Sequence, residues 1–498
     1  MPICDITVKV KDNAFLYIDC DDKGILHELA EYFTFFVPNY KFTPQFRNKM
    51  WDGKIRLLNM RDQSIYAGLF GYIKAFCLER KIKLDTWDDP STIKYNHPGF
   101  VYDSDLSWIK DLPIPWIPKD YQLEAIKHGL KTRSGLLVSP TASGKSLIIY
   151  LLMRYFLMTN EDKCLIIVPT TSLVKQMYGD FCEYADNDDD WFATENCHEI
   201  MAGLDKGHET KRVYISTWQS IYKMQKGYFE QFGMVIGDEA HLCNAQSLKG
   251  ILEKMTTCRY RFGTTGTLTD SKTNKLVLEG LFGKTYQAVT SKELMDDKHI
   301  SDLKIECLML KYDDGERKQL KTATYQEEID FIVSSKKRNE FICELALARK
   351  GNVLILFNYV EKHGKILERI LRSKLKTDRN IFFIAGETSV EDREKIRQVT
   401  EIENSIIVAS SGVLSTGVNI KNLQTLIFSH PYKGKIRNLQ SIGRVLRLDD
   451  KDNKAILFDI VDDLAWKKHQ NYGIKHWKER VKTYTGEKFD YNIREITL

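Results

Sequence analysis

From about residue 134 onward, short apolar runs alternate with longer segments that mix charged and apolar residues. Leu136-Leu137-Val138, Cys164 to Val168, Val213 to Ser216 and Met234-Val235-Ile236 are continuous apolar runs of strand length, the pattern of strands buried on both faces of a parallel sheet. A second series follows in Val353 to Phe357, Ile381 to Ile384, Ile406-Ile407-Val408, Leu426-Ile427-Phe428 and Ile456-Leu457-Phe458. Two series predict two doubly wound lobes. The apolar stretch Leu147 to Met158 is interrupted by Arg154 and falls far short of the ~20 residues of a membrane span, so it reads as a helix beside a sheet.

The ends of the chain follow other rules. Ile6 to Val10 and Ala14 to Ile18 flank Asp12-Asn13 and predict a hairpin; Leu26 to Phe36 predicts a helix with Leu26, Leu29 and Phe33 on one side. Between Tyr40 and Leu58 aromatic and basic residues interleave, with a turn at Asp52-Gly53 and a strand that places Lys54 and Arg56 on one face. These segments predict a small N-terminal unit over residues 1–105, separate from the lobes. It either grips nucleic acid through Lys49, Lys54 and Arg56, with Trp51 stacking at a junction or anchoring the turn, or carries a merely solvated basic rim. The prolines between Asp111 and Pro118 predict a stiff connection. Residues 106–300 make the first lobe, 301–335 a charged, partly helical bridge, and 336–465 the second lobe. Residues 466–498 form a C-terminal extension with Ile474, Trp477, Val481 and Tyr484 at helical spacing.

Three short stretches carry the chemistry. Ser139-Pro140-Thr141-Ala142-Ser143-Gly144-Lys145-Ser146 stands between a strand and an apolar helix, the setting of a phosphate-binding loop. Lys145 would reach the β- and γ-phosphates of a nucleotide triphosphate and the Ser146 hydroxyl would hold Mg²⁺, while Gly144 permits close backbone approach. The opening glycine of the generic pattern is Ser139 here. Asp238-Glu239-Ala240-His241 ends an apolar strand, so that Asp238 would hold Mg²⁺, directly or through water, and Glu239 would orient or deprotonate the attacking water. His241 has no partner at zinc spacing and would link the cleft to Thr264-Thr265-Gly266-Thr267. In the second lobe, Gln440 precedes Arg444 and Arg447, which share a helical face and would meet the charge of the transition state. Upstream, Tyr121-Gln122 could read an adenine edge. ATP with Mg²⁺ is the expected substrate and cofactor pair, and the cleft is expected between the lobes.

Composition narrows this further. The chain has 498 residues, 43% hydrophobic and 28% charged, ordinary values for a protein with packed cores. Its net charge of +5 permits a nucleic-acid partner without requiring one. Ten cysteines without a CxxC pair point to reduced structural thiols; Cys197-His198 lacks the second pair a zinc site needs. The first residues lack the basic and apolar parts of a secretion signal.

Together these motifs resemble superfamily 2 helicases and translocases over residues 115 to 465. Asp238 to His241 looks like motif II and Gln440 to Arg447 like motif VI in its QxxGRxxR form. Within that superfamily the chain is similar to the UvsW-type recombination helicases of T-even-like bacteriophages, through Trp51 to Leu58 and the Pro140 to Ser146 loop as well. The resemblance implies an α/β fold of two RecA-like doubly wound lobes, a small N-terminal α/β domain and a C-terminal helical extension. It implies DNA-backbone contacts by Pro169 and Thr170 and by Thr217, Trp218 and Gln219 in the first lobe. Asn358 (motif IV) and Ser410 and Ser411 (motif V) would make such contacts in the second, with Gly417 of motif V at the nucleotide. Thr265-Gly266-Thr267 stands where Ser-Ala-Thr of motif III is usual.

The family implies ATP-driven migration of Holliday junctions, fork regression and unwinding of D-loops and R-loops. Branched and duplex DNA are then the partners, with RNA–DNA hybrids and a small accessory protein as further candidates. No membrane is expected, and a monomer in the cytoplasm of an infected bacterium is. An RNA helicase, a translocating subunit of a restriction or remodelling system, and a binding protein with a switch-like ATPase are the alternatives.

Overall fold

The computed structural model describes residues 5–37, 40–86, 104–140, 143–201, 205–242, 246–266, 272–297, 302–386, 388, 390–414, 423–431 and 454–498. Residues 1–139 and 144–288 make one compact unit, and 140–143 with 289–498 make the other.

The first unit begins with the predicted hairpin. β1 (Ile6–Val10) pairs antiparallel with β2 (Phe15–Asp19), and the Asp12 carboxylate closes the turn by accepting from the amides of Ala14 (2.7 Å) and Phe15 (2.9 Å). The following helix spans Lys23–Tyr32, capped by Asp22, and stops short of the predicted Phe36. Thr34 to Phe36 instead forms β3, because a β-branched residue and two phenylalanines fit an extended, half-buried pairing with β4 (Lys54–Arg56). β5 (Leu58–Asn59), β6 (Ser64–Tyr66) and β7 (Leu84–Thr86) join the hairpin in a five-stranded sheet of order β5-β6-β2-β1-β7.

β8 (Ser134–Val138), β9 (Lys163–Val168), β10 (Cys197–Ile200), β11 (Val213–Thr217), β12 (Phe232–Gly237), β13 (Tyr260–Thr265) and β14 (Thr285–Gln287) build the first lobe's sheet. Its order is β10-β11-β9-β12-β13-β8-β14 and every pairing is parallel. Alternation along each strand feeds two cores. Leu136 and Val138 point into one; Leu137 points into the other, with the helix Lys145–Thr159.

The core holding Leu136 also contains Ile6, Leu16, Phe33, Ile65 and Phe76 of the N-terminal sheet. Apolar side chains of the small sheet and of the lobe share one interior. Polar links reinforce this: the Tyr66 and Tyr72 hydroxyls each donate at 2.5 Å, to Glu253 and Glu279 respectively. At Gly68 a Cβ would lie 1.9 Å from the Glu279 carbonyl oxygen, so the backbones meet there.

The second unit contains a seven-stranded, all-parallel sheet. Its strands are β15 (Asp302–Lys311), β16 (Asn352–Phe357), β17 (Asn380–Ile384), β18 (Ser405–Ser410), β19 (Leu423–Phe428), β20 (Lys454–Asp463) and β21 (Tyr491–Thr497). The order is β17-β18-β16-β19-β20-β15-β21. Two expectations change here. The 301–335 bridge is no linker, because β15 is a ten-residue strand between β20 and β21. Its charged residues hid the period-2 pattern of Leu303, Ile305 and Cys307, all buried. The C-terminal extension is not only helical: the predicted helix forms over Tyr472–Gly486, and β21 then extends the sheet edge.

Buried ion pairs hold this end together. Arg480 meets Asp459 at 2.8 Å, and the Tyr484 hydroxyl donates to the same carboxylate at 3.0 Å. Arg338 meets Asp462 at 2.6 Å, and both side chains are fully buried. Glu328, in the helix Tyr325–Ser334, accepts from the amides of Tyr472 (2.9 Å) and Gly473 (2.7 Å) and from Asn471 Nδ2 (2.8 Å). The supposed bridge thus caps the C-terminal helix.

Candidate functional site

The carboxyl ends of β8, β12 and β13 are neighbours in the first sheet, the edge where ligands bind in open parallel α/β folds. β8 runs into Ser139, whose amide donates to the Thr265 carbonyl at 3.0 Å. The helix Lys145–Thr159 then starts from Gly144, held at φ +72°, a left-handed conformation that glycine adopts without strain. A Cβ at Gly144 would also lie 2.5 Å from Gln122 Nε2. Gly144 supplies no side-chain cap to this helix start, and the Leu147 amide donates to the Gly144 carbonyl at 3.1 Å. Lys145 Nζ lies 3.3 Å from the Ser139 carbonyl oxygen, folded back over the loop. The Ser143 hydroxyl donates to the Pro140 carbonyl at 2.7 Å. Thr141 and Ala142 lie outside the described residues, as does Thr267.

Asp238 leaves β12 and accepts a hydrogen bond from the Thr264 hydroxyl at 2.7 Å. Burial and then the neighbouring Glu239 raise its carboxyl above the ordinary range, against the pull of Lys145 and the Thr264 hydrogen bond. Lys145, Asp238 and Thr264 are therefore one electrostatic group. Glu239 has φ +50°, uncommon for a residue with a Cβ. His241 is buried, with Nδ1 2.9 Å from Thr265 Oγ1 and 3.2 Å from Glu239 Oε2. The link read from sequence between His241 and the 264–267 segment is thus in place through Thr265.

Two residues depart from their expected postures. The Ser146 hydroxyl is 2.8 Å from the Tyr184 hydroxyl, so its partner in this structure is a phenol. Gln122 Oε1 accepts from the Lys119 amide at 2.8 Å and Nε2 donates to the Gly144 carbonyl at 3.4 Å. The Gln122 side-chain amide thus ties the helix Asp120–Thr132 to the phosphate loop. Tyr121 is part-buried, and burial pushes its phenol up to about 12.

Sequence reasoning passed over Tyr184, and it named Thr264 only as part of the segment facing His241. Tyr184 ends the helix Thr171–Tyr184 and packs edge-on against Trp116, with ring centroids 5.6 Å apart. Nothing local marks it as a partner of Ser146, 38 residues away. Gln440, Arg444, Arg447 and Gly417 lie outside the described residues.

The expected nucleic-acid contacts divide. Thr170 caps the helix Thr171–Tyr184, its hydroxyl accepting from the Leu173 amide at 3.4 Å, with Pro169 directly before it. Thr217 is buried, with its hydroxyl 2.9 Å from Ser220 Oγ. Trp218 is half-buried against the core, whereas Gln219 is exposed. In the second unit, Asn358 and Ser411 follow the adjacent strands β16 and β18, and the Ser411 hydroxyl donates to Asn358 Oδ1. Ser410 closes β18 opposite Phe357.

In the N-terminal segment Trp51 anchors the turn, donating its indole N–H to the Lys54 carbonyl at 2.9 Å. Gly53 makes that turn at φ +81°, where a Cβ would strike the Tyr40 ring at 2.2 Å. Arg56 is committed to an ion pair with Asp52, whose carboxyl it holds below the ordinary range. Lys54 lies over the Phe36 ring, 5.2 Å from its centroid. Lys49 is exposed, at φ +55°.

Comparison with known proteins agrees with this layout. The model for the N-terminal part of the DNA helicase UvsW matches residues 5–86, that for the res subunit of type III restriction enzymes matches 116–270, and the helicase conserved C-terminal domain matches 336–449. The ATP-dependent DNA helicase uvsW of Enterobacteria phage T4 is 37% identical over 517 aligned residues, covering 99% of this chain and all of that protein. The chain belongs to the UvsW family of superfamily 2 DNA helicases. It is an ATP-dependent helicase or translocase of that type. The crystal structure of T4 UvsW superposes with a TM-score of 0.51 at 34% identity and covers 99% of both chains. More distantly, the DNA 3'-5' translocase XPB2 of Sulfurisphaera tokodaii is 25% identical, covering 71% of this chain and 84% of that protein. Among the described residues, no helix is long and apolar enough to cross a membrane.

Proposed function

We propose that the chain hydrolyses ATP at the carboxyl ends of β8, β12 and β13 and uses the cycle to remodel branched DNA. Its substrates are four-way junctions, regressed forks, D-loops and R-loops met in phage recombination, repair and replication in the host cytoplasm. The observation that carries this reading is the convergence of the Gly144 helix terminus, Lys145, the Asp238–Thr264 pair and the Glu239–His241–Thr265 chain on one strand-end surface.

The residues fit a magnesium-bound nucleotide. Gly144 presents backbone amides rather than a side chain, and Lys145 can exchange the Ser139 carbonyl for phosphate oxygen without moving its backbone. Asp238 and Ser146 would hold the cation once the Ser146 hydroxyl turns from Tyr184; Mg²⁺ supplies charge neutralisation on the phosphates when bound. Glu239 orients or deprotonates the attacking water, and His241 connects that carboxylate to Thr265. Motif VI, with Gln440, Arg444 and Arg447, would supply the positive charge that a transferring phosphoryl group needs, with Arg447 as the finger. Asn358, Ser410, Ser411, Pro169, Thr170 and Gln219 hold the DNA backbone without reading its sequence.

The test is ATP-driven processing of a synthetic four-way junction by the full chain, beside a forked duplex and an RNA–DNA hybrid, with Lys145→Ala as the inactive control. Junction migration with turnover stimulated far more by DNA than by RNA is the expected result. Equal or greater RNA stimulation would select the RNA-helicase reading. ATP turnover without strand movement would select a switch.

A further inference from the structure

The segment between β3 and β4 is a folded excursion that displays apolar side chains to water. Its backbone is bonded turn by turn: Thr43 N–H to Tyr40 O (3.0 Å), Asn48 N–H to Pro44 O (2.9 Å), Lys49 N–H to Phe46 O (3.0 Å) and Met50 N–H to Gln45 O (2.9 Å). Beneath it, Phe36 stacks on Tyr40 with centroids 4.8 Å apart, and Tyr40 meets Phe46 edge-on at 4.7 Å. Yet Phe42 is 71% exposed and Met50 is 79% exposed. Large apolar side chains held outward on an ordered scaffold mark a contact surface.

A groove of 590 Å³ opens beside Met50, lined also by Phe46, Trp51, Lys41, Arg47, Lys49 and Asp52. Three cations stand on its rim against one carboxylate, and Arg56 neutralises that carboxylate. An apolar floor with a cationic rim is complementary to a base attached to its phosphates: the ring is apolar on its faces and the backbone is anionic. A fully paired duplex offers the phosphates but keeps its base faces stacked.

We propose that this groove takes an unpaired base at a DNA branch point, with its ring against Phe46, Met50 and Trp51 and the flanking phosphates on Lys41, Arg47 and Lys49. The proposal rests on the branched-DNA reading above and adds to it a site that distinguishes a branch from continuous duplex. Trp51 is fixed in this role by its bond to the Lys54 carbonyl, and Met50, unbranched and polarisable, adapts to any base.

The test uses the full chain with Met50→Ser and Met50→Glu, on a forked DNA carrying 2-aminopurine at the first unpaired position and on a blunt linear duplex of equal length. Met50 is exposed, so both variants should keep the wild-type melting temperature. Wild-type protein should change the 2-aminopurine fluorescence and bind the fork more tightly than the linear duplex. Met50→Glu should reduce fork affinity about tenfold and abolish the fluorescence change, Met50→Ser should do less, and linear-duplex affinity should change less than about twofold. Fork affinity and fluorescence left as in the wild type would overturn the proposal while leaving the DNA reading intact, and equal losses on both substrates would do the same. A concentration-dependent self-association lost in Met50→Glu, with fork binding kept, would reassign the surface to a second copy of this chain. A wild-type protein that binds neither DNA would overturn both readings.

Discussion

Glu239 occupies the left-handed region at φ +50°, a conformation that costs a residue with a Cβ roughly 1–2 kcal/mol. The strand end at Asp238 and the contact with His241 hold it there. Glu239→Gln preserves shape and removes the base, so it should retain ATP binding and lose about 10²–10⁴-fold in turnover. Loss of nucleotide binding in that variant would instead assign Glu239 to cation or fold. Asp238 allows a test with a definite sign. Its carboxyl is raised in the folded protein, chiefly by burial and then by Glu239, so the ionised form weighs against folding. That penalty is fully present above the raised folded value, is relieved as pH falls through it, and is gone below the ordinary carboxylate value. Asp238→Asn should therefore raise the melting temperature of the nucleotide-free protein at pH 8 while abolishing hydrolysis. The gain should shrink as pH approaches about 4. A lower melting temperature at pH 8 would contradict the assigned electrostatics.

At the scale of elements, the second sheet depends on residues that look like a linker. Glu328 is buried and satisfies two amides at the start of the helix Tyr472–Gly486 as well as the Asn471 side chain. Glu328→Ala leaves those donors in a dry site and should destabilise the protein by about 2–4 kcal/mol in denaturant titration, without altering nucleotide affinity under native conditions. A change below about 0.5 kcal/mol would show that water replaces the cap. The apolar strands β8, β9, β11, β12, β16 and β18 to β20 were legible because both their faces are largely buried, and β17 because its apolar run is continuous. β15 was not, because Lys304 and Glu306 lie between its buried residues and pair with each other at 2.7 Å. A strand with one charged face resembles a solvated segment until its neighbours are known. β10, β13 and β14 were passed over likewise; β13 contains Arg261, which is buried and donates to the carbonyls of Leu281, Met255 and Leu252 at 2.9–3.0 Å.

For the whole molecule, the N-terminal sheet and the first lobe share one core, with, among the described residues, no linker between their apolar interiors. Arg56 pairs with Asp52 on the surface, Lys54 lies over Phe36 and Lys41 over Tyr40, while Lys41, Arg47 and Lys49 line an open groove. Replacing Lys41, Arg47 and Lys49 together by alanine should weaken binding to all DNA sequences and reduce the log–log salt slope by ~2–3. The parallel triple variant of Lys49, Lys54 and Arg56 should reduce it by only ~1, from Lys49. ATP turnover without DNA should be unchanged in both. Salt titrations of the two variants decide the matter, and an equal slope for variant and wild type in the first would remove the groove from DNA binding.

The sequence alone determined the chemistry and the class of fold. Phosphate loops and metal-binding carboxylates need fixed residues at short spacing, and parallel strands buried on both faces need apolar runs; both are local properties that a linear chain records. Tertiary structure alone decided which polar groups were already committed. Tyr184 against Ser146, Glu328 against Gly473, Asp52 against Arg56 and Tyr66 against Glu253 are pairings set by where the backbone carries each donor and acceptor. The packing of the N-terminal sheet into the first lobe's core was decided in the same way. A hydrophobic side chain is apolar in any sequence context, but which interior it fills depends on contacts between residues more than a hundred positions apart.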